Sequence, residues 1–200
     1  MTRTRIQNLL QLLLLVSFFA APCVAQEARE WEIFGGYSVQ RSDVRQYYRS
    51  SPVIYTFRGQ YADLKGWDAS LTENLNGWFG GTLDISGHYR TPQLLGTANR
   101  ERMHSVLFGP RFSYRIPHIT PFAHILMGVA QAKVAVTPVG PNASDLSFAV
   151  AAGVGLDLSL GKNAAIRVLQ ADYFRTNLLG TRPESFRGSA GLVFYLGGRR

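Results

Sequence analysis

The stretch Ser147-Phe148-Ala149-Val150-Ala151-Ala152-Gly153-Val154-Gly155-Leu156-Asp157-Leu158-Ser159-Leu160 alternates over its whole length. Phe148, Val150, Ala152, Val154, Leu156, Leu158 and Leu160 fall on one face, and Ser147, Ala149, Ala151, Gly153, Gly155, Asp157 and Ser159 on the other. A period of two residues is that of a β-strand, whose successive side chains point to opposite sides. One face is large and apolar and the other is small or polar. A water-soluble barrel lines its interior with bulky apolar groups and shows charge outside, so this strand has the opposite sense. Gly, Ala and Ser suit the narrow interior of a barrel of about eight strands, and the large apolar face is expected to meet lipid.

The same pattern recurs on both sides of this stretch. Strands are expected at about residues 31–40, 66–75, 78–90, 103–115, 120–133, 147–160, 164–176 and 185–196. In the third, Phe79, Leu83, Ile85 and Tyr89 oppose Thr82, Asp84, Ser86 and His88. In the fourth, Val106, Phe108, Phe112 and Tyr114 oppose Ser105, Gly109, Arg111, Ser113 and Arg115. In the last, Phe186, Ala190, Leu192, Phe194 and Leu196 oppose Arg187, Ser189, Gly191, Val193 and Tyr195. No segment beyond residue 25 sustains a helical apolar period or an unbroken apolar run long enough for a spanning helix, so any membrane crossing has to be made by strands. Tight connections at 74–77, 116–119 and 161–163 alternate with longer polar ones at 41–65, 91–102, 134–146 and 177–184. That asymmetry belongs to a transmembrane barrel with short periplasmic turns and long outer loops. The expected fold is all-β: a closed, up-and-down, eight-stranded antiparallel transmembrane barrel.

Two positions resist simple alternation. Pro110 lies inside the fourth strand although it lacks an N–H, and a bulge is expected there. Arg167 is out of phase with Gln170 and Asp172, which implies either a second bulge or a place at the water interface.

The amino terminus reads differently from the rest. Arg3 and Arg5 precede the apolar stretch Leu9 to Ala21, which ends at Cys23-Val24-Ala25. Basic, apolar and small residues in that order form a secretory signal, so residues 1–25 are expected to be removed and 26–200 to form the barrel domain. Cys23 leaves with the signal, because Pro22 is a poor neighbour for lipid attachment. The remainder carries 19 Lys and Arg against 13 Asp and Glu and has no cysteine. Thiol and disulfide chemistry are therefore excluded from it. Charged residues make up 17% of the chain, below the roughly 25% of ordinary soluble domains.

Gly66-Trp67-Asp68-Ala69-Ser70, Asp84-Ile85-Ser86-Gly87-His88-Tyr89 and Leu107-Phe108-Gly109-Pro110-Arg111, followed by Pro121-Phe122-Ala123-His124 and Gln170-Ala171-Asp172-Tyr173, resemble in order the bacterial outer-membrane β-barrel family. That family includes the OmpA-like membrane domain and opacity-type surface proteins. The resemblance implies export to the bacterial outer membrane and contact with its lipid. Ser189, Gly191, Phe194 and Leu196 resemble the carboxy-terminal signal read by the insertion machinery, although here Gly197-Gly198-Arg199-Arg200 follows.

Chemistry is sparse. Ser86 and His88 stand two residues apart and His104 adjoins Ser105, which is the minimum for a lipid-modifying barrel enzyme. Because Ser86 and His88 share the inward face, they are expected to be packing residues, and no catalytic residue is assigned. His88, His104, His118 and His124 are scattered without ligand spacing, so no metal is expected. No cofactor is expected either, since Gly153-Val154-Gly155 is strand and no Lys-Ser/Thr follows it. No nucleic-acid module is present. Asp68, Asp84, His88, Arg111, Arg115, His124, Asp157, Asp172 and Arg187 are expected to form a polar network in the lumen, since charges of opposite sign can be buried when paired. A narrow pore is the alternative for that interior. The 41–65 loop carries Arg41, Arg45, Arg49 and Arg58 among Tyr47, Tyr48, Tyr55 and Tyr61, and is expected to meet an extracellular or glycolipid partner. The expected role is a structural anchor and scaffold for surface interaction.

Overall fold

A computed structural model describes the backbone of residues 29–50, 53–90, 93–94, 97–137, 143–176 and 184–199. Side chains are described for 30–41, 63–90, 101–133, 144–176 and 184–197. The amino-terminal 28 residues, with the expected signal, lie outside these ranges. The strands are β1 (Arg29–Ser50), β2 (Val53–Asn74), β3 (Phe79–Arg90), β4 (Gln93–Leu94), β5 (Thr97–Ser113), β6 (Ile119–Thr137), β7 (Ala143–Ser159), β8 (Ala164–Thr176) and β9 (Glu184–Arg199). Each long strand pairs antiparallel with its neighbours, β1 pairs with β9, and β3 pairs with β5, so the sheet closes on itself. The result is an eight-stave barrel, with the two-residue β4 only a short return against the start of β5. Closure leaves no free edge through the wall, as a bilayer without hydrogen-bonding partners requires.

The faces follow the alternation of the sequence. Phe108, Phe148, Val154, Phe186, Phe194, Met127 and Ile125 point outward and are about half exposed or more. Asp68, Asp84, Arg111, Asp157, Asp172 and Arg187 point inward and are buried. Polar groups inside and apolar groups outside form an inverted pattern that is stable only where the surroundings are lipid. Trp31, Trp67, Trp78, Tyr89 and Tyr114 stand near the ends of this outer face. The Trp67 ring lies over its cross-strand partner Gly87, so close that a Cβ at Gly87 would come within 2.8 Å of the indole nitrogen. The glycine leaves a shallow seat in which the aromatic ring replaces a side chain.

Two expectations change, on the connections and on Pro110, and the alternative left open at Arg167 is resolved. The segment 41–65 is not a loop in its backbone: β1 runs to Ser50, β2 begins at Val53, and the two pair from Arg41↔Asp63 to Ser50↔Val53 with one irregularity between Val44 and Gln46. Val44, Tyr47, Tyr48, Ile54, Tyr55 and Phe57 are strand-forming residues. Charged and polar residues interrupt any period of two here, so the sequence reads as a loop while its β-branched and aromatic residues still favour a strand. Likewise β5, β6 and β7 extend into the stretches read as connections at 91–102 and 134–146.

Pro110 causes no bulge. The β5–β6 register is the same on both sides of it, from Phe108↔Met127 to Arg111↔His124, and only the partners of Gly109 and Pro110 are missing from the ladder. Towards β3 the pairing continues through Gly81↔Pro110. The missing N–H is accommodated by omitting bonds to one neighbour, without inserting a residue.

Arg167 does sit at a bulge. Leu156 pairs with Leu169 and Asp157 with Arg167, so Val168 is an extra residue in β8. Val168 and Leu169 both face outward, and Arg167 turns into the lumen. Of the two alternatives open in the sequence, the bulge is the one adopted.

Candidate functional site in the barrel lumen

The interior is layered along the barrel axis. Nearest the short turns, Glu32 of β1 accepts from Asn74 Nδ2 at 2.9 Å and lies 2.7 Å from Arg115 and 3.0 Å from Arg111. Arg115 also donates to Asn74 Oδ1 and to the Gly77 carbonyl, tying the β2–β3 turn to the segment just after β5. Arg111 reaches Asp157 at 3.1 Å, and Arg167 grips the same carboxylate at 2.8 and 3.1 Å. The two guanidinium groups approach the Phe122 ring, with centroid distances of 4.0 and 4.3 Å, and Arg167 also lies 4.3 Å from the Phe34 ring. The like charges gathered at one carboxylate both lie against an aromatic ring, whose face attracts cations.

A second layer centres on Arg187 of β9. It donates to Asp172 at 2.8 Å and to both oxygens of Asp84 at 2.9 and 3.2 Å, and it lies 3.8 Å from Asp68. Gln170 links the layers, accepting from Arg167 at 2.8 Å and donating to Asp172 at 2.9 Å. His124 Nε2 is 2.8 Å from the other oxygen of Asp172. Ser189 donates to Asp68 at 2.7 Å, its oxygen lies 3.0 Å from the Ser38 hydroxyl, and Ser38 meets His88 at 2.9 Å. The bonds from Arg187 to Asp84 and from Arg111 to Glu32 cross the lumen between strands that are not neighbours in the sheet. Towards the long hairpins the interior becomes apolar, with Leu64, Met103, Leu107, Leu126, Ala130, Ala149, Ala151 and Phe174 packed together.

All nine lumen residues named from the sequence lie on the inner face in this network. Sequence reasoning missed Glu32, Asn74, Arg167 and Gln170. Extending the alternation of Trp31, Ile33 and Tyr37 to the intervening positions would have placed Glu32 inside. Arg167 was hidden by the bulge. The Ser and His candidates for catalysis do not form pairs with each other. Ser86 bonds Ser105 at 2.8 Å, His88 bonds Ser38, and His104 points out of the barrel against Tyr89. Among the described residues no group of His, Cys, Asp or Glu is arranged to hold a metal ion. Of the hairpin arginines, Arg41 is exposed and bonds Asp63 at 3.0 Å, while the side chains of Arg45, Arg49 and Arg58 lie outside the described residues. In β9, Ser189 and Gly191 face inward and Phe194 and Leu196 outward.

Against solved structures, the chain matches the Neisserial surface protein A with a TM-score of 0.63 at 12% identity, over 86% of this chain and 100% of that one. The fold is that of the small bacterial outer-membrane β-barrels. The chain also matches Ail, the attachment invasion locus protein of Yersinia pestis, with a TM-score of 0.55 at 18% identity, covering 84% of this chain and 99% of Ail. A second structure of Ail, in complex with the heparin analogue sucrose octasulfate, matches with a TM-score of 0.54 at 20% identity and the same coverage. No protein-family model and no curated protein matches the sequence.

Proposed function

We propose that this barrel is a non-enzymatic anchor in the bacterial outer membrane whose lumen is closed and whose working surface is the projecting β1–β2 hairpin. The observation that carries the reading is the division of labour between the two ends of β1 and β2. Each has 22 residues, about twice the 9–11 that cross a bilayer, and the excess lies on the long-hairpin side. Inside, Arg187, Arg111 and Arg167 bridge the lumen, and the cluster around Leu107, Leu126 and Phe174 lies between them and the long hairpins, which supports a structural role for the side-chain network and a closed lumen.

The hairpin carries Arg41, Arg45, Arg49 and Arg58, and its proposed partner is an extracellular molecule with anionic groups, such as a glycan or a glycolipid headgroup. The sulfated ligand held by Ail is in keeping with this chemistry. Replacing residues 43–62 by a short Gly/Ser turn should leave a heat-modifiable, membrane-inserted barrel, since loop closure depends only weakly on length. Binding of sucrose octasulfate or heparin to the intact protein should be measurable, fall with added salt, and disappear in the shortened protein. Equal binding by both proteins would remove the hairpin from the reading. In planar bilayers the protein should add no steady conductance, and discrete open steps would overturn the closed lumen.

A further inference from the structure

A second surface lies on the outer wall below the hairpins. The register aligns Lys65 of β2 with Tyr89 of β3, Tyr89 with Arg102 of β5, and Arg102 with Lys133 of β6. These residues form one row across four adjacent staves, and all four side chains point outward and are exposed. Neighbouring strands are about 4.8 Å apart, so the row spans roughly 14 Å. Arg102 and Lys133 are direct cross-strand partners, a like-charge juxtaposition that destabilises a sheet unless something neutralises it.

Elsewhere on the outer face, among the described residues, Arg41 bonds Asp63 and Arg175 stands opposite Glu184. Lys65, Arg102 and Lys133 have no carboxylate partner among the described residues. The depth of the row is also informative. Two residues below it on the same staves come Trp67, Gly87, His104 and Gln131, and two further Ala69, Ile85, Val106 and Val129, which face lipid. The row therefore sits one step above the apolar band, at the level of lipid headgroups, with Tyr89 and Trp67 at the boundary where such rings are favoured.

We infer that Lys65, Arg102 and Lys133, with Tyr89 between them, form a docking site for the phosphates of an outer-leaflet glycolipid. Unpaired cations placed at headgroup depth neutralise phosphate by charge-assisted hydrogen bonds, and the acyl chains then lie along Ile85, Val106 and Val129. The site is separate from the hairpin tip, and binding or its loss at the tip leaves it unaffected. The test uses the full exported protein in phosphatidylcholine nanodiscs doped with bisphosphorylated lipid A or with its dephosphorylated form, followed by counting of retained lipid A after exchange against undoped vesicles. The protein should retain the phosphorylated form and not the dephosphorylated one. In the triple variant Lys65→Gln, Arg102→Gln, Lys133→Gln, retention should drop by at least about tenfold, on the scale of surface lysines and arginines near anionic headgroups. Arg175→Gln removes a charge from the opposite wall and should retain lipid A as the unaltered protein does. Heat-modifiability of each variant reports that it is folded. Equal retention by the triple variant overturns the site, as does equal retention of both lipid A forms. Displacement of lipid A by inorganic phosphate alone, at low ionic strength, would mean an unspecific cation patch and would overturn it too.

Discussion

Arg187 is the residue on which the upper lumen layer depends. Its guanidinium is the cation shared by Asp84, Asp172 and, at longer range, Asp68, all of them buried. Removing one partner of a buried ion pair leaves charge without compensation, at a cost of roughly 3–5 kcal/mol. Arg187→Leu should accordingly lower the unfolding free energy in bilayers by about that amount, whereas Asp63→Asn, at the exposed Arg41 pair, should change it by under about 1 kcal/mol. Urea titration of the two variants in the same lipid checks both. Gly153 is a second sensitive point. A Cβ there would collide with Asp172 Oδ1 and come within 2.8 Å of His124 Nε2, so Gly153→Val should break the His124–Asp172 contact and reduce folding yield. The outer face responds in the opposite way: Phe108→Arg puts a charge into lipid between Leu83 and Met127, at a cost of roughly 2–4 kcal/mol at mid-membrane. Insertion yields equal to those of the unaltered protein would reject the placement of Phe108.

Strands reveal their register most clearly where one face is constrained. β7 could be read from its sequence because every other residue meets lipid, and the inner positions have to be small or paired. β1 and β2 could be read only up to about Gln40 and from Gly66, because between them charged and polar residues break the period of two and the composition looks like a loop. The Asp84, Asp157, Asp172, Arg111 and Arg187 network was legible for the same reason as β7, being set by alternation. Which carboxylate meets which guanidinium was not, because those contacts cross the lumen between strands distant in sequence. Arg167 was not legible because one extra residue, Val168, shifts the phase of half a strand. Deleting Val168 should remove the bulge and leave Arg167 on the lumen side, because Arg167, Leu169 and Gln170 then alternate without a break. The variant should therefore insert about as well as one lacking Lys162 from the exposed β7–β8 turn, as read by the fraction of heat-modifiable protein. A large loss for the Val168 deletion alone would mean that the bulge does more than restore the phase.

The whole molecule is an inverted protein: a polar, ion-paired interior inside a wall whose outer surface is apolar. That inversion rests on closure of the sheet, because an open edge in lipid would leave backbone groups unpaired. The hairpins and the basic outer row are expected to add to the wall without being needed for it. The measurement that bears most directly on this arrangement is a nitroxide scan of β7 in lipid bilayers. Single cysteines are placed in turn from 148 to 158 in the exported protein, which after removal of the signal should hold no other cysteine. Relaxation by oxygen, which concentrates in the acyl region, should alternate with a period of two residues, high at 148, 150, 152, 154, 156 and 158 and low at 149, 151, 153, 155 and 157. Uniform accessibility, or alternation in the opposite phase, would contradict the barrel described here.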